Sequence, residues 1–317
     1  AENEWRALTK YPSHFLLFND AEYPACLRNV PDAPLVLFYE GQPAFLRGPA
    51  LAVVGSRKCS PDGVLACRTL CRELSAAGIT VVSGLAFGID SEAHKAALDG
   101  PGGTIAVMGT GLERTYPAQN HPLRTRIAEK GMIITEYAPQ SRLAPQNFPK
   151  RNRIIMGLSL GVLVVEASNR SGSLITARLA GENGRMVYAV PGRFGSPLSE
   201  GCARLIRNGA TPVFDVADIL WDLQPHLRAA CASWTETAEA GAETIPTFTE
   251  QAGVDGDISS RLIRFLRENG PTHVDLIGAR LGLDASEVSS SLLILEVSGA
   301  VKCFPGMVYG AVHDGQI

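Results

Sequence analysis

A chain of 317 residues, with 45% apolar and 19% charged residues, is long enough for one large and one small domain, and this composition excludes wholesale disorder. The formal net charge of −3 excludes a protein that is basic over its whole surface, so a nucleic-acid site must be a local patch. No apolar run approaches the roughly 18 residues of a membrane-spanning helix, so no membrane segment is predicted.

Residues 1–48 are predicted to be a lead-in, rich in aromatic residues and proline, that packs on the core of the protein. Within this lead-in, Leu35–Tyr39 is an uninterrupted apolar run, which is typical of a buried strand. Gly41 follows it and predicts a turn.

Residues 49–223 are predicted to form an extended Rossmann-like α/β domain. Six apolar runs without polar alternation predict buried strands at Leu51–Val54, Ile79–Val82, Thr104–Val107, Met132–Thr135, Val162–Val165 and Met186–Val190. Helical periodicity separates most of them, at Pro61–Ala77, Ile89–Leu98, Asn120–Lys130 and Leu174–Asn183. Strands of this kind form a parallel sheet covered by helices on both faces, and ligands bind where its strands end.

Residues 224–257 are predicted to be a flexible acidic linker, and residues 258–317 a C-terminal winged-helix domain. The predicted helices of this domain are Ile258–Glu268, Val274–Leu281 and Ala285–Ser298, and a hairpin around Pro305 and Gly306 follows them. The third helix and its preceding residue carry only acidic charges, at Asp284, Glu287 and Glu296. Because a helix that reads the major groove normally supplies Arg or Lys, this domain is expected to dock a partner or play an auxiliary role.

Glycine or serine follows one predicted strand after another. Backbone amides at such turns and at helix N-termini bind anions, so their repetition predicts one anion-binding crevice. The planar guanidinium of Arg57 in the first turn suits a phosphate. The turn residues assigned to this crevice are Gly55, Ser56, Arg57, Lys58, Gly84, Gly109, Ser171, Gly172 and Ser173.

The segment around Phe148 combines an aromatic residue with a basic cluster. No acidic residue lies between Tyr137 and Val165. Bases of single-stranded nucleic acid stack on aromatic rings while cations hold the backbone, so the segment predicts a single-strand site. Arg153 can also be interpreted as a structural residue, because its apolar neighbours Ile154 and Ile155 are expected to pack this part of the helix against the core. The site residues predicted here are Phe148, Lys150, Arg151, Asn152 and Arg153.

Catalytic constellations are weak, and no catalytic residue is predicted. Ser83, Asp90 and His94 are close in sequence but lack a nucleophile elbow. Glu136 and Glu166 both follow strands, and an acid–base pair of these two carboxylates keeps an enzyme hypothesis open. The seven cysteines and six histidines have no metal-ligand spacing, so we expect a reduced, cytoplasmic protein with no metal and no cofactor.

Taken together, the motifs of residues 50–222 resemble the DNA-processing protein A family, also called Smf. The resemblance implies an extended Rossmann fold that binds incoming single-stranded DNA during natural transformation, protects it and hands it to the recombinase RecA. It also implies a homodimer without enzymatic activity. The matching stretches are Val54–Arg57, Ser83–Asp90, Gly109–Leu112, Tyr116–Asn120, Phe148–Ile155, Ser171–Ala177 and Val190–Gly192.

The resemblance also assigns individual roles. Ser56 and Arg57 match the DNA-contacting turn of the family, and Phe148 matches its base-contacting aromatic residue. The sequence departs from the family at Ala118 and Gln119 and at Pro145, where members often carry a basic residue. Arg142 or Lys150 is expected to supply the missing charge, and the apolar Leu205 and Ile206 are candidates for the dimer interface.

Two alternative functions compete with single-strand binding. The first is a Rossmann-type enzyme resembling nucleotide phosphoribohydrolases, but Pro101-Gly102-Gly103-Thr104 precedes a predicted strand, whereas the catalytic signature of those enzymes follows one. The second is a winged-helix transcription factor with a sensor domain, which the acidic third helix disfavours. The sequence therefore predicts a binding protein for single-stranded DNA.

Overall fold

The computed structural model describes residues 15–141, 143–223, 258–269, 272–283, 285–297, 300–304 and 308–311. These residues form two compact units, one within residues 1–234 and one within residues 235–317. The predicted linker at 224–257 lies outside the described residues, as do Arg142, Asp284 and the predicted hairpin turn at Pro305 and Gly306.

The first unit is built on a nine-stranded sheet with the order β1-β2-β6-β5-β4-β3-β7-β8-β9. All neighbouring strands from β6 to β9 in this order are parallel, whereas β2 pairs antiparallel with β6 and with β1. The six strands predicted from apolar runs are all present as β3 to β8. The strands are β1 (Phe15–Leu17), β2 (Val36–Gly41), β3 (Ala50–Val54), β4 (Thr80–Ser83), β5 (Thr104–Val107), β6 (Met132–Thr135), β7 (Gly161–Val164), β8 (Met186–Ala189) and β9 (Thr211–Pro212).

Helices cover both faces of this sheet. They are α1 (Ala25–Arg28), α2 (Pro61–Ala76), α3 (Ile89–Ala97), α4 (His121–Lys130), α5 (Asn147–Gly157), α6 (Ser173–Glu182) and α7 (Glu200–Arg207). Two 3-10 turns lie at Pro43–Leu46 and Ala118–Asn120, and residues 216–223 are also helical.

Strand β3 shows why the apolar runs lack polar alternation. All five of its residues are buried. Ala52 and Val54 belong to one core cluster with Ile154 of α5, and Leu51 and Val53 belong to another with residues of α2 and α3. Because successive side chains point to opposite faces, a strand covered on both sides carries apolar residues on both of its faces.

The described part of the lead-in, residues 15–48, extends the sheet at one edge, and residues 1–14 lie outside the described residues. Tyr23 is buried and its hydroxyl donates a hydrogen bond to the Pro34 carbonyl at 2.7 Å. The prediction of a buried strand at Leu35–Tyr39 is wrong in part, because Leu35 is 74% exposed and precedes β2. Only Leu37 and Phe38 are buried, since β2 lies next to the edge strand β1 and is only partly covered.

The second unit is the predicted winged helix. Its helices are α8 (Ile258–Asn269), α9 (Val274–Leu281) and α10 (Ala285–Val297), and its strands are β10 (Thr272–His273), β11 (Val301–Phe304) and β12 (Val308–Ala311). The strands form an antiparallel sheet in the order β10-β12-β11. Strand β10 was not predicted, because two residues carry no periodic signal. Leu262, Ile277 and Leu292 bring one buried residue from each helix into the core of this unit.

No helix in the described parts of the chain combines the length and apolar character needed to cross a membrane. Over the same residues, no group of three or more His, Cys, Asp or Glu side chains is arranged to hold a metal ion. Cys26, Cys59, Cys67, Cys71 and Cys202 are free thiols.

Candidate functional site

A cleft of about 800 Å³ opens where the parallel strands of the first unit end. This is the position that the alternation of strands and helices predicts for a ligand site. Ten predicted site residues line it, namely Gly55, Ser56, Arg57, Lys58, Phe148, Arg151, Asn152, Ser171, Gly172 and Ser173. Gly84 lines a smaller adjoining pocket, which it shares with Arg57, Phe148 and Arg151. Gly109, Lys150 and Arg153 line neither cavity.

The loop after β3 is held tightly at its base and open at its tip. A Cβ atom on Gly55 would lie 2.6 Å from the Ile89 side chain, so only glycine lets α3 pack this closely. The Ser56 amide donates to the Glu166 carbonyl at 2.7 Å, and the Ser56 carbonyl accepts from the Ile89 amide at 3.2 Å. Arg57 and Lys58 are exposed at the rim, and no carboxylate among the described residues is within salt-bridge distance of Arg57.

Several of the turn amides predicted to bind anions already have acceptors inside the protein. The Gly84 amide donates to Asp90 Oδ2 at 3.2 Å, and the Lys58 amide donates to Ser56 Oγ at 3.2 Å. Within the described part of the chain, the amides of Arg57 and Gly172 have no hydrogen-bond acceptor. These two amides are therefore free to donate to an anion in the cleft, whereas the Gly84 amide serves the fold.

Arg151 is buried at the floor of the cleft, and only 5% of it is exposed. Its Nη1 donates to the Gly84 carbonyl at 2.8 Å and to the Val107 carbonyl, and its Nε donates to Asn152 Oδ1 at 3.3 Å. Burial lowers the pKa of this guanidinium to about 10, although the negative charge of Asp90 acts in the opposite direction. Arg151 thus ties the ends of β4 and β5 to α5, and it contributes positive potential rather than a freely mobile phosphate ligand.

Asp90 is the buried acid that faces this cation. Its Oδ2 accepts hydrogen bonds from the amides of Gly84 and Ala86, at 3.2 and 3.4 Å. Burial raises the pKa of the Asp90 carboxyl, while Arg151 opposes this rise. The position of Asp90 in the first turn of α3 also agrees with a favourable interaction with the helix dipole.

Arg153 points away from the cleft. Its Nη2 pairs with Glu136 Oε2 at 2.5 Å, and its Nε pairs with Asp32 Oδ2 at 3.2 Å. The predicted phosphate contact of Arg153 is therefore not supported, and its structural interpretation fits these partners. Lys150 is exposed on α5 outside the cleft.

An aromatic cluster forms one wall of the site. The rings of Tyr116 and Phe148 lie 5.1 Å apart between centroids and are tilted by 43°. Phe87 and Tyr116 are both nearly half exposed. A Cβ on Gly109 would be 2.9 Å from the Phe148 ring, so glycine at this position makes room for the ring. Tyr116 and Phe87 were not predicted as site residues, although both lie in glycine-containing motifs that follow strands.

The residues of the possible catalytic constellations bond elsewhere. Ser83 Oγ donates to the Val53 carbonyl at 2.6 Å. His94 Nε2 accepts from the Leu85 amide at 3.3 Å, so its Nδ1 carries the proton that it donates to Thr104 Oγ1 at 2.7 Å. Burial, followed by the charge of Arg151, lowers the pKa of His94 to about 3. Both side chains thus hold backbone ends in place.

The hypothesis of an acid–base pair between Glu136 and Glu166 is wrong. Glu136 follows β6 and Glu166 follows β7, and these strands are four spacings of about 4.8 Å apart, or roughly 19 Å. Glu166 instead accepts from the Ser60 amide at 2.9 Å and from Ser60 Oγ at 2.5 Å, at the N-terminus of α2. The pairing failed because sequence alone does not reveal the strand order.

Residues 14–224 match the family model of DNA recombination-mediator protein A, and residues 248–307 match that of the DprA winged helix domain. The protein Smf of Escherichia coli is 41% identical over 93% of this chain and 77% of its own length.

Two solved structures resemble the chain over about two thirds of its length. DNA processing protein A from Streptococcus pneumoniae is 44% identical, has a TM-score of 0.64, and is matched over 68% of this chain and 76% of its own. DNA processing protein A from Helicobacter pylori is 29% identical, has a TM-score of 0.61, and is matched over 67% and 96%. The structure of the Helicobacter protein concerns its single-stranded DNA binding mode.

Proposed function

Because this chain belongs to the DNA recombination-mediator protein A family, we propose that it binds single-stranded DNA in the cleft at the end of its parallel strands. The observation that carries the proposal is the combination of the Tyr116–Phe148 ring pair with the exposed Arg57 in one cleft. Rings accept bases of any sequence by stacking, and a guanidinium beside them neutralises the backbone. The similarity to the Helicobacter protein supports the same ligand.

In the proposed complex, a base stacks on Phe148 and the neighbouring phosphate contacts Arg57 and Lys58. The amides of Arg57 and Gly172 donate to phosphate oxygens at the two sides of the cleft. Arg151 lies below these groups and adds positive potential in a setting with little solvent, where electrostatic attraction is strengthened. The negative net charge of the whole chain is compatible with this arrangement, because the cations are concentrated locally.

We propose binding rather than catalysis as the primary activity. Ser83, His94 and Glu166, which are candidates for nucleophile and acid–base roles, each bond to the fold. The phosphoribohydrolase hypothesis would require an acid or base directed into the cleft, and the acid that lines it, Asp90, is bonded to two amides.

We infer that the protein protects incoming single strands in the cytoplasm during natural transformation and loads the recombinase RecA onto them. A homodimer would place two clefts on one strand and raise its avidity. Leu205 and Ile206 of α7 are partly buried against the core, and their remaining surface is a candidate for that interface.

The test is fluorescence anisotropy with a labelled oligonucleotide of about 35 nucleotides, single-stranded and duplex, across a salt series. We expect tight single-strand binding that weakens steeply with salt, and much weaker duplex binding. Equal binding of both forms, or none, would refute the proposal and would direct the next assay to hydrolysis of nucleoside monophosphates. RecA filament formation on the pre-bound strand tests the loading step separately.

A further inference from the structure

The loop of residues 190–199, between β8 and α7, forms part of the cleft although no sequence motif assigned it a ligand. Strand β8 is parallel to β7 with Ala189 beside Val164, so this loop leaves the sheet at the edge where the cleft lies. The Ala167 amide donates to the Leu198 carbonyl at 2.8 Å. Leu198 lines the cleft, and the loop is therefore attached to the site on the β8 side.

The tip of this loop carries a fully exposed Phe194 beside an exposed Arg193. No carboxylate of the described residues is within salt-bridge distance of Arg193. The surrounding sequence is basic, because between Glu182 and Asp215 it holds one acid, Glu200. Glu200 accepts a hydrogen bond from Asn169 at 2.6 Å. The arginines of this stretch are Arg185, Arg193, Arg204 and Arg207.

A single exposed apolar side chain is ordinary on a protein surface and by itself indicates nothing. Phe194 differs because it stands next to a cation and on a loop that already lines a nucleic-acid cleft. An aromatic ring with a neighbouring guanidinium is the pairing that stacks a base and holds its phosphate.

We propose that Phe194 and Arg193 form a second nucleotide subsite for the strand that occupies the cleft, an inference that rests on the proposed function. The sheet order β5-β4-β3-β7-β8 separates the loops that carry Tyr116 and Phe194 by four strand spacings of about 4.8 Å, or roughly 19 Å. The single strand then follows the sheet edge from the Tyr116–Phe148 pair, across Arg57, to Phe194. Stacking at both ends gives a longer footprint that is tolerant of sequence.

Phe214 offers a matched control. It is 78% exposed and follows β9, which runs parallel to β8, so it leaves the sheet at the same edge. Its setting is acidic instead of basic, since its amide donates to Asp218 Oδ2 at 2.7 Å and Asp215 is the next residue. A phosphate backbone is repelled there, so removal of the Phe214 ring should leave DNA affinity unchanged.

The experiment measures anisotropy of a labelled single strand of about 35 nucleotides with the full chain and its variants. Phe194→Ala should weaken binding roughly 5- to 150-fold, which is the stacking of one base, and Phe194→Tyr should retain it. Arg193→Ala should weaken binding. It should also reduce the slope of log affinity against log salt concentration by the amount expected for about one phosphate contact. Phe214→Ala should bind like the parent protein.

A second readout follows Phe194 itself. In Phe194→Trp, the fluorescence of the new Trp side chain should decrease when an unlabelled thymidine oligonucleotide binds. This decrease should exceed any change in the parent protein, which has only its own tryptophans. Thermal unfolding of Phe194→Ala should match the parent protein, because the fully exposed ring makes no core contact. If Phe194→Ala has a lower melting temperature than the parent protein and this instability explains its lost affinity, the subsite is overturned.

The outcomes separate this subsite from the proposed function. If the parent protein fails to bind single strands, the proposed function fails and the subsite fails with it. If the parent binds and Arg57→Ala weakens binding, while Phe194→Ala and Arg193→Ala have parental affinity and the indole is not quenched, the subsite alone is overturned. A changed self-association of Phe194→Ala with unchanged DNA affinity would assign this loop to a protein contact and would equally overturn the subsite.

Discussion

The guanidinium of Arg151 lies directly against the backbone of Gly84, and its Nη1 donates a hydrogen bond to the Gly84 carbonyl at 2.8 Å. A Cβ atom at position 84 would be 2.5 Å from Arg151 Nη2. Position 84 thus requires glycine, the smallest residue, so that the large side chain of Arg151 fits at the floor of the cleft. This contact fixes the end of β4 relative to α5, on which Phe148 is carried.

The first prediction concerns this contact. Gly84→Ala should reduce the free energy of unfolding by about 1–3 kcal/mol, because the new methyl group displaces the Arg151 guanidinium from the Gly84 and Val107 carbonyls to which it donates. Urea unfolding measures the loss. The control is Gly172→Ala in the same cleft, where an added Cβ meets nothing within 4 Å and stability should change little. Equal stabilities of the two variants would contradict the close packing of Arg151 against Gly84.

The second prediction separates two arginines of the cleft. Arg151→Met should reduce the free energy of unfolding by about 2–4 kcal/mol, because the buried Gly84 and Val107 carbonyls lose their donor. Arg57→Met should change stability by less than about 0.5 kcal/mol, because this side chain is exposed. Its single-strand affinity should nevertheless fall sharply. Urea unfolding and anisotropy on the same preparations provide the comparison, and parental single-strand affinity of folded Arg57→Met would refute its assignment as a ligand.

The third prediction distinguishes stacking from charge. Phe148→Ala should lower single-strand affinity by about 1–3 kcal/mol without changing the salt dependence, because a ring releases no counterions. Arg57→Ala should lower the affinity and also reduce the slope of log affinity against log salt concentration by the amount expected for about one phosphate contact. Anisotropy titrations at four salt concentrations separate the two effects. A change of salt dependence in Phe148→Ala would show that the ring acts by another route.

The fourth prediction concerns pH. His94 has a pKa of about 3 in the folded protein, against 6.5 ordinarily, so between these values the unfolded chain binds a proton that the folded chain does not. Buried, neutral His94 therefore contributes fully to the free energy of unfolding above pH 6.5. This contribution is lost as pH falls toward 3, and the free energy of unfolding decreases by up to about 1.4 kcal/mol per pH unit.

The check compares the parent protein with His94→Gln by urea unfolding between pH 7.5 and 4.5. The parent should lose more stability than the variant as pH falls. Groups that titrate in both proteins, including Asp90, cancel in the difference. A difference that does not change with pH would mean that His94 has the same pKa in the folded and unfolded states, and would contradict the lowered value.

Much of the fold was predictable because its signals are local. Strands covered on both faces are apolar at most positions, and such runs mark β3 to β8 in the sequence without any knowledge of their partners. Glycines at strand ends located the cleft for a similar reason, since parallel strands end at one edge of the sheet. The strand β10 and the exposure of Leu35 escaped prediction, because they depend on partners distant in sequence.

The roles of individual charges were decided only by the tertiary structure. Lys150, Arg151 and Arg153 are neighbours in sequence, but a helix turns by about 100° per residue and sends them in different directions. One is exposed outside the cleft, one is buried beneath it, and one pairs with Glu136. Likewise Glu136 and Glu166 both follow strands, yet three strands lie between them. The sequence by itself determined that a cleft with cations and aromatic rings would form at the sheet edge. Which cations face that cleft depends on side-chain direction and strand order, and these exist only once the chain has packed.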